Sequence, residues 1–229
     1  MKGVLLSSLA ALILAASAPV AAAASKPSDR DDDLVRRVLT GYAKCLVNSD
    51  RPRLRSMLLG DPNSGAFEHW RKGLRGECMI VSYEVIYVNP DNTTLRFALA
   101  DEMLRGSRHL LTAPDVAAVP PLLQPIASPR PNVRSKQGPA YDPRFAMLAR
   151  FGECIVRADP AGARALLQSR ADTDAETAAI QSLVKNGAAC AGGSPMHIDT
   201  LSFRGSVAIN YFRIAMSVRP AASRAGGGE

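Results

Sequence analysis

Histidine is scarce in this chain: His69, His109 and His197 are the only three, and none stands at ligand spacing from another histidine or a cysteine. A histidine–thiolate metal centre has no footing here, and no metal or other cofactor is expected. No CxxC pair occurs, which argues against thioredoxin-like redox chemistry and haem attachment. A GxSxG elbow, an HExxH helix and a phosphate-binding glycine loop are also missing. Carboxylates are sparse. Asp101 and Glu102 are neighbours on a predicted helix, where adjacent side chains diverge by about 100 degrees and do not face each other across a substrate. Asp31, Asp32 and Asp33 form a run at a helix start, complementing the helix dipole rather than chelating. Aromatic residues make up 5% of the chain, with one tryptophan; Trp70 and Phe67 stand at helical spacing and read as core rather than a ligand platform. One catalytic option is left, a cysteine nucleophile served by His69 or His197. Cysteines in an oxidising compartment pair with each other instead, so no catalytic residue is assigned.

Apolar runs of membrane length are confined to the first residues. Lys2, an apolar core over 4–16 and the small residues Ala22, Ala23 and Ala24 before Ser25 make a cleavable export signal over 1–24. An uncleaved anchor over 3–24 is the competing reading, weakened by Pro19 and by the low hydrophobicity of the alanine run. No cysteine follows the apolar core, so a lipid has no acceptor there. The expected product is periplasmic or secreted, with no stable transmembrane segment after cleavage, and export argues against a nucleic-acid partner. Lysine and arginine outnumber aspartate and glutamate 28 to 21, a net charge of +7 spread along the chain. That balance suits anionic surroundings or a merely solubilising surface.

What the sequence does have is repetition. A shift of 109 residues lays Tyr42 on Phe151, Cys45 on Cys154, Val47 on Val156, Asp50 on Asp159, Arg55 on Arg164 and Leu58 on Leu167. A shift of 108 lays Asp91, Leu95, Arg96, Ala100, Leu104 and Arg105 on Asp199, Phe203, Arg204, Ala208, Phe212 and Arg213. The expected fold is mostly α, a tandem duplication of a four-helix unit. Its segments are unit 1 over 31–105, a proline-rich linker over 106–140, unit 2 over 141–217 and a disordered tail over 218–229.

Apolar residues at three- and four-residue spacing mark the first helix of each unit, through Leu34, Val35, Val38, Leu39, Tyr42, Cys45 and Leu46, and through Phe145, Leu148, Phe151, Cys154 and Ile155. The cysteine lies on the predicted buried stripe in both. Asp50 and Asp159 are placed as N-caps of a second helix, with Pro160 at its first position. Thr173 and Glu176 form a capping-box pattern for the third helix of unit 2, and Asn186-Gly187 supplies a left-handed stop. The partner helix, through Phe67 and Trp70, is broken by Gly73 and Gly76 and should be short. Residues 206–218 read as a strand in isolation, but their counterpart 98–105 is made of helix formers, so both are expected to be helices capped by Asp199 and Asp91. Residues 80–88 alternate at period two, and a short β ribbon with 196–198 is expected. The linker carries seven prolines, yet Val116, Val119, Leu122 and Leu123 are apolar, so its first half should lie along the helices and 128–139 should be disordered.

These paired blocks, from Cys45-Leu46-Val47 with Asp50 and from Cys154-Ile155-Val156 with Asp159-Pro160, resemble uncharacterised exported bacterial proteins with tandem cysteine-containing helical repeats. The resemblance covers both units and not the linker, and implies no activity. The function expected from the export signal, the composition and the missing motifs is that of a non-enzymatic interaction or scaffold protein of the cell envelope, its partner an envelope protein or an anionic envelope component. A binder of an anionic lipid or glycan is the alternative, and an enzyme with a site not visible in sequence the second. Arg53, Arg55, Arg71, Lys72 and Arg75 are the candidate anion-binding residues, a basic cluster on two adjacent predicted helices with Arg51 beside them.

Four cysteines allow three connectivities. Cys45 and Cys154 sit late in the first helix of each unit, and Cys78 and Cys190 at the end of the third, so the expected pairs are Cys45–Cys78 and Cys154–Cys190. Protease cleavage of the non-reduced protein within 106–140 is then expected to release two fragments that separate under denaturing conditions. Fragments that stay joined until thiol is added would place the bridges between units.

Overall fold

Helical spacing becomes helix throughout the computed structural model, which describes residues 27–73, 78, 91–112, 115–125, 134–135, 138–139, 143–192 and 197–218. Among these residues the helices are α1 (Pro27–Leu59), α2 (Ala66–Lys72), α3 (Asn92–Arg105), α4 (Pro143–Ala158), α5 (Pro160–Gln168), α6 (Asp174–Asn186) and α7 (Thr200–Ser217). Helix α1 is two helices end to end, because Asp50 leaves helical geometry at φ −149° and ψ 53°. Asp159 makes the equivalent break between α4 and α5, and its carboxylate accepts from the Gly162 amide at 2.7 Å. Asp91 and Asp199 cap α3 and α7, accepting from the amides of Thr94 at 2.7 Å and Ser202 at 2.8 Å. Each carboxylate satisfies an amide of the first turn that has no partner within the helix.

Helix α7 is the centre of the molecule. Every residue from 203 to 215 is buried, the polar Arg204, Ser206, Asn210 and Arg213 included. It packs against α3 and α4, while α1 packs against α3. A Cβ on Gly205 would collide with Phe97 of α3, and one on Gly152 with the Ser206 carbonyl, so these glycines set how closely α7 approaches α3 and α4. One continuous core runs through both halves, including Leu46, Leu54, Phe97 and Leu99 together with Ile155, Leu166, Phe203 and Tyr211.

Two disulfides fasten outer elements to this core, Cys45–Cys78 and Cys154–Cys190, with Cα atoms 5.6 and 5.7 Å apart. The pairs are those expected, but the burial is not. Cys154 is exposed and Cys45 half-buried, whereas Cys78 is buried in the core and Cys190 packs partly buried against it. The expected left-handed stop at Gly187 is also corrected. Gly187 has φ −98°, and a Cβ there would run into Ile155 Cδ1, so the glycine serves packing; the left-handed residue is Gly192, after the 3-10 turn Ala188–Ala191.

The first half of the linker does lie on the helices, held by polar groups as well as apolar ones. The Arg157 guanidinium donates to the carbonyls of Val116, Val119 and Pro120 at 2.9–3.0 Å. Glu153 accepts from the Leu122 amide and from Gln124 Nε2. Proline-rich chain cannot satisfy its own carbonyls in a helix or sheet, and one arginine does so here. Further on, β1 (Arg134–Ser135) and β2 (Gly138–Pro139) form a two-residue antiparallel ladder where disordered chain was expected; Pro139 occupies an edge position that needs no further donor. The export signal over 1–24, Arg75, the strand read at 80–88, Met196 and the tail from 219 lie outside the described residues. His197 and Ile198 are in neither strand nor helix.

A buried ionic network joins the elements. Arg204 of α7 donates to Asp101 of α3, to Glu176 of α6 at 2.9 Å, and to the carbonyls of Leu166, Leu167 and Ser169 where α5 ends. Glu176 also accepts from Arg36 of α1 and from the Asp172 amide, and Arg36 pairs with Asp172 at 2.7 Å. Asp172 sits at φ 59°, a left-handed conformation that aspartate tolerates better than most side chains. Burial pushes the Glu176 carboxyl up, but Arg36, the Asp172 amide and Arg204 together outweigh it and hold the group below its ordinary value. The pairing therefore contributes stability above the unfolded-chain value of about 4.3 that is lost as pH falls through the lower folded value. Glu176→Gln leaves two buried arginines short of a carboxylate and is expected to cost about 3–5 kcal/mol by chemical denaturation at neutral pH. Its loss should shrink as the buffer is made more acidic than about pH 4; an equal loss at all pH values would show that charge is not the source.

Candidate functional site

The half-helix after Asp50 begins Arg51-Pro52 and continues with Arg55, Ser56 and Leu59, which share a face at three- and four-residue spacing. Opposite stand Met103 at the end of α3, Phe212 and Met216 at the end of α7, and His109 and Leu110 of the 3-10 turn Arg108–Leu111. Between them is an open cleft of about 490 Å³, within the size range of small-molecule sites. Its floor is apolar, made by Leu59, Met103, Leu110, Phe212 and Met216, with Arg51, Arg55 and Ser56 on the side of the half-helix and Ser107 and His109 on the segment after α3.

Arg51 and Arg55 bring two guanidinium groups to that side. Arg51 donates to Ser107 Oγ at 3.1 Å. Its guanidinium lies where a Cβ on Gly106 would be, so the glycine at the end of α3 leaves room for the arginine to cross. Arg55 is exposed and makes no ion pair among the described residues. Glu102 lies behind this group; burial raises its carboxyl above the ordinary value, opposed by Arg105, Lys44 and Arg51. The wall formed by Arg108–Leu111 is tied down by Tyr211, whose hydroxyl donates to the Thr112 carbonyl at 2.6 Å.

The five basic residues singled out from the sequence separate by role. Arg55 lines the cleft, and Arg53, two positions before it, is exposed on another face of the half-helix. Arg71 is half-buried, its charge acting on the Tyr42 phenol, which burial raises and Arg71 lowers. Lys72 is exposed and pairs with Glu68 one turn back at 3.3 Å. Arg75 is outside the described residues. Sequence reasoning grouped Arg51 with this cluster but missed the apolar half of the cleft, because Met103, Leu110, Phe212 and Met216 come from three separate segments. Among the described residues no group of histidine, cysteine and carboxylate side chains has the geometry to hold a metal ion. No described helix is long and apolar enough to cross a membrane.

No family model, curated protein or solved structure matches the chain.

Tyr211 offers a check on the wall. Burial, opposed by Arg164, pushes its phenol up to about 12, so the contribution of the neutral form is present below the unfolded value of about 10 and lost as pH rises toward 12. Tyr211→Phe removes the hydrogen bond to Thr112 and is expected to cost about 1 kcal/mol in urea denaturation at neutral pH. It should also speed amide exchange in the Arg108–Leu111 turn, and unchanged exchange would show that other contacts hold the wall.

Proposed function

We propose that the protein is a non-enzymatic exported binder of an anionic amphiphile, a molecule with an acyl chain and a carboxylate or phosphate head. The observation that carries this reading is the pairing, in one cleft, of an apolar floor with the guanidinium groups of Arg51 and Arg55 at its side. Removing a chain from water onto Leu59 and Met216, over the buried Met103, Leu110 and Phe212, supplies the affinity, at about 25 cal/mol for each Å² of apolar surface covered. Met103 and Met216 are flexible and adapt to chains of different shape. The arginines orient the head, since a planar guanidinium matches the two oxygens of a carboxylate or phosphate.

Other readings draw less support. A glycan site is built on exposed aromatic platforms, whereas Trp70, Phe67 and Phe212 are buried. An envelope scaffold would present a broad apolar patch. The large apolar side chains exposed among the described residues, Val35, Leu123, Met147 and Val184, stand singly on four different segments. Both disulfides suit an oxidising compartment, and periplasmic or secreted residence with signal cleavage before Ser25 is part of the proposal. So is descent from a duplicated four-helix unit, supported by the equivalent caps at Asp91 and Asp199, the equivalent breaks at Asp50 and Asp159, and one local disulfide in each half.

The test is titration of the oxidised mature protein with a fluorescent medium-chain fatty acid, and with its lysophospholipid counterpart to separate the two head groups. Saturable binding is expected, weakened about tenfold or more by Arg51→Glu with Arg55→Glu. Reversal of Arg53 and Lys72, outside the cleft, is expected to change it by no more than about twofold. No saturable binding, or binding indifferent to the Arg51 and Arg55 reversal, would refute the reading. Sensitivity to Arg53 and Lys72 alone would move the site to the outer basic face.

A further inference from the structure

Histidine is the side chain that ordinarily changes charge between about pH 5 and 8, and one of the three, His109, lines the cleft. The turn Arg108–Leu111 puts it there. Successive side chains on a 3-10 turn point about 120 degrees apart, so a turn that buries Leu110 and Leu111 leaves His109 exposed. The backbone on both sides of it is held. The Leu110 amide donates to the Ser107 carbonyl at 2.7 Å, the Thr112 hydroxyl to the His109 carbonyl at 3.2 Å, and Tyr211 fastens Thr112. The imidazole itself makes no hydrogen bond or ion pair among the described residues. It is a positioned ring with both nitrogens available.

Arg51 and Arg55 stand across the cleft, and Arg51 reaches over to Ser107, two residues before His109. No carboxylate is among the described residues that line the cleft. The charged groups on the elements around the turn are Lys44, Arg51 and Arg55 of α1, Glu102 and Arg105 at the end of α3, and Arg164 of α5, which acts on Tyr211. Arg105 is taken by Asp101 at 2.7 Å. The end of α7 presents only the uncharged Phe212 and Met216 to the cleft. Glu102 is therefore the one acid of the group, and it sits behind Arg51 rather than in the cleft. An anion between the two walls meets positive charge from both sides once His109 carries a proton.

We propose that His109 is the head-group ligand of the second wall, and that its protonation tightens the hold, so that the cleft takes up anionic amphiphiles in acid and releases them as pH rises. This inference rests on the reading of the cleft as an amphiphile site. A protonated imidazole offers two N–H donors where the neutral ring offers one, and its bond to an oxyanion is charge-assisted. By linkage, an anion that binds the protonated ring more tightly must draw a proton onto the protein as it binds.

Titration calorimetry of the oxidised mature protein with a medium-chain alkyl sulfonate tests this, because a sulfonate keeps its single charge where carboxylate and phosphate heads titrate. The wild-type protein is expected to bind about fivefold more tightly at about pH 5.5 than at about pH 8. Between these values it should take up protons on binding, read from the change in heat between buffers of different ionisation enthalpy. His109→Gln keeps a polar side chain that cannot become a cation. It is expected to bind within about twofold of the wild type at about pH 8, where the arginines act alone, and to lose both the tightening and the proton uptake. Saturable binding that does not tighten in acid would overturn the role of His109 and leave the amphiphile cleft standing. Tightening that persists in His109→Gln would overturn it equally, and its loss in Glu102→Gln would then name Glu102 as the source. No binding at either pH would remove the cleft reading and this inference with it.

Discussion

Arg204 is one cation shared by four helices. It rises from α7, binds Asp101 of α3 and Glu176 of α6, and closes the exposed carbonyls at the end of α5; through Glu176 it reaches Arg36 of α1. Charges removed from water are tolerable only when every partner is in place. That requirement ties the positions of these helices together in a way that interchangeable apolar contacts do not. Since α3, α7 and α1 are fixed by it, so are the helix ends that frame the cleft.

The same logic extends to the linker. A segment rich in proline has carbonyls that need donors and few amides to offer in return. Arg157 and Glu153, one turn apart on α4, meet both needs and lay the segment over the core. Tyr211 does the equivalent for the turn at Thr112. Polar side chains on buried helices thus place the irregular segments, and one of those segments becomes a wall of the cleft. The ligand cleft is proposed where the second half of α1 starts, at Arg51.

Local physics made much of the fold legible in the sequence. Apolar spacing marked α1, α4 and α6, the aspartates at 50, 91, 159 and 199 marked breaks and caps, and the counterpart at 98–105 rescued α7 from a strand reading. Features that failed to show depend on contacts between distant segments. Glu176 looked like the second half of a capping box, yet its carboxylate accepts from the Asp172 amide, one residue before the cap, and meets Arg36 and Arg204. Only the Thr173 half of the box is made, at 3.3 Å from the Glu176 amide. Gly187 looked like a turn residue and proved to be a contact with Ile155, a distinction that spacing along the chain does not carry. The cleft was half visible: its arginines cluster in sequence, whereas its floor is assembled from the ends of α3 and α7.

A crystal structure of the oxidised protein with a medium-chain fatty acid tests the central claim most directly. The account predicts the carboxylate within hydrogen-bond distance of Arg51 or Arg55, with the chain lying against Leu59 and Met216 over the buried floor. An unoccupied cleft at saturating ligand, or a chain bound elsewhere with these residues untouched, would contradict it.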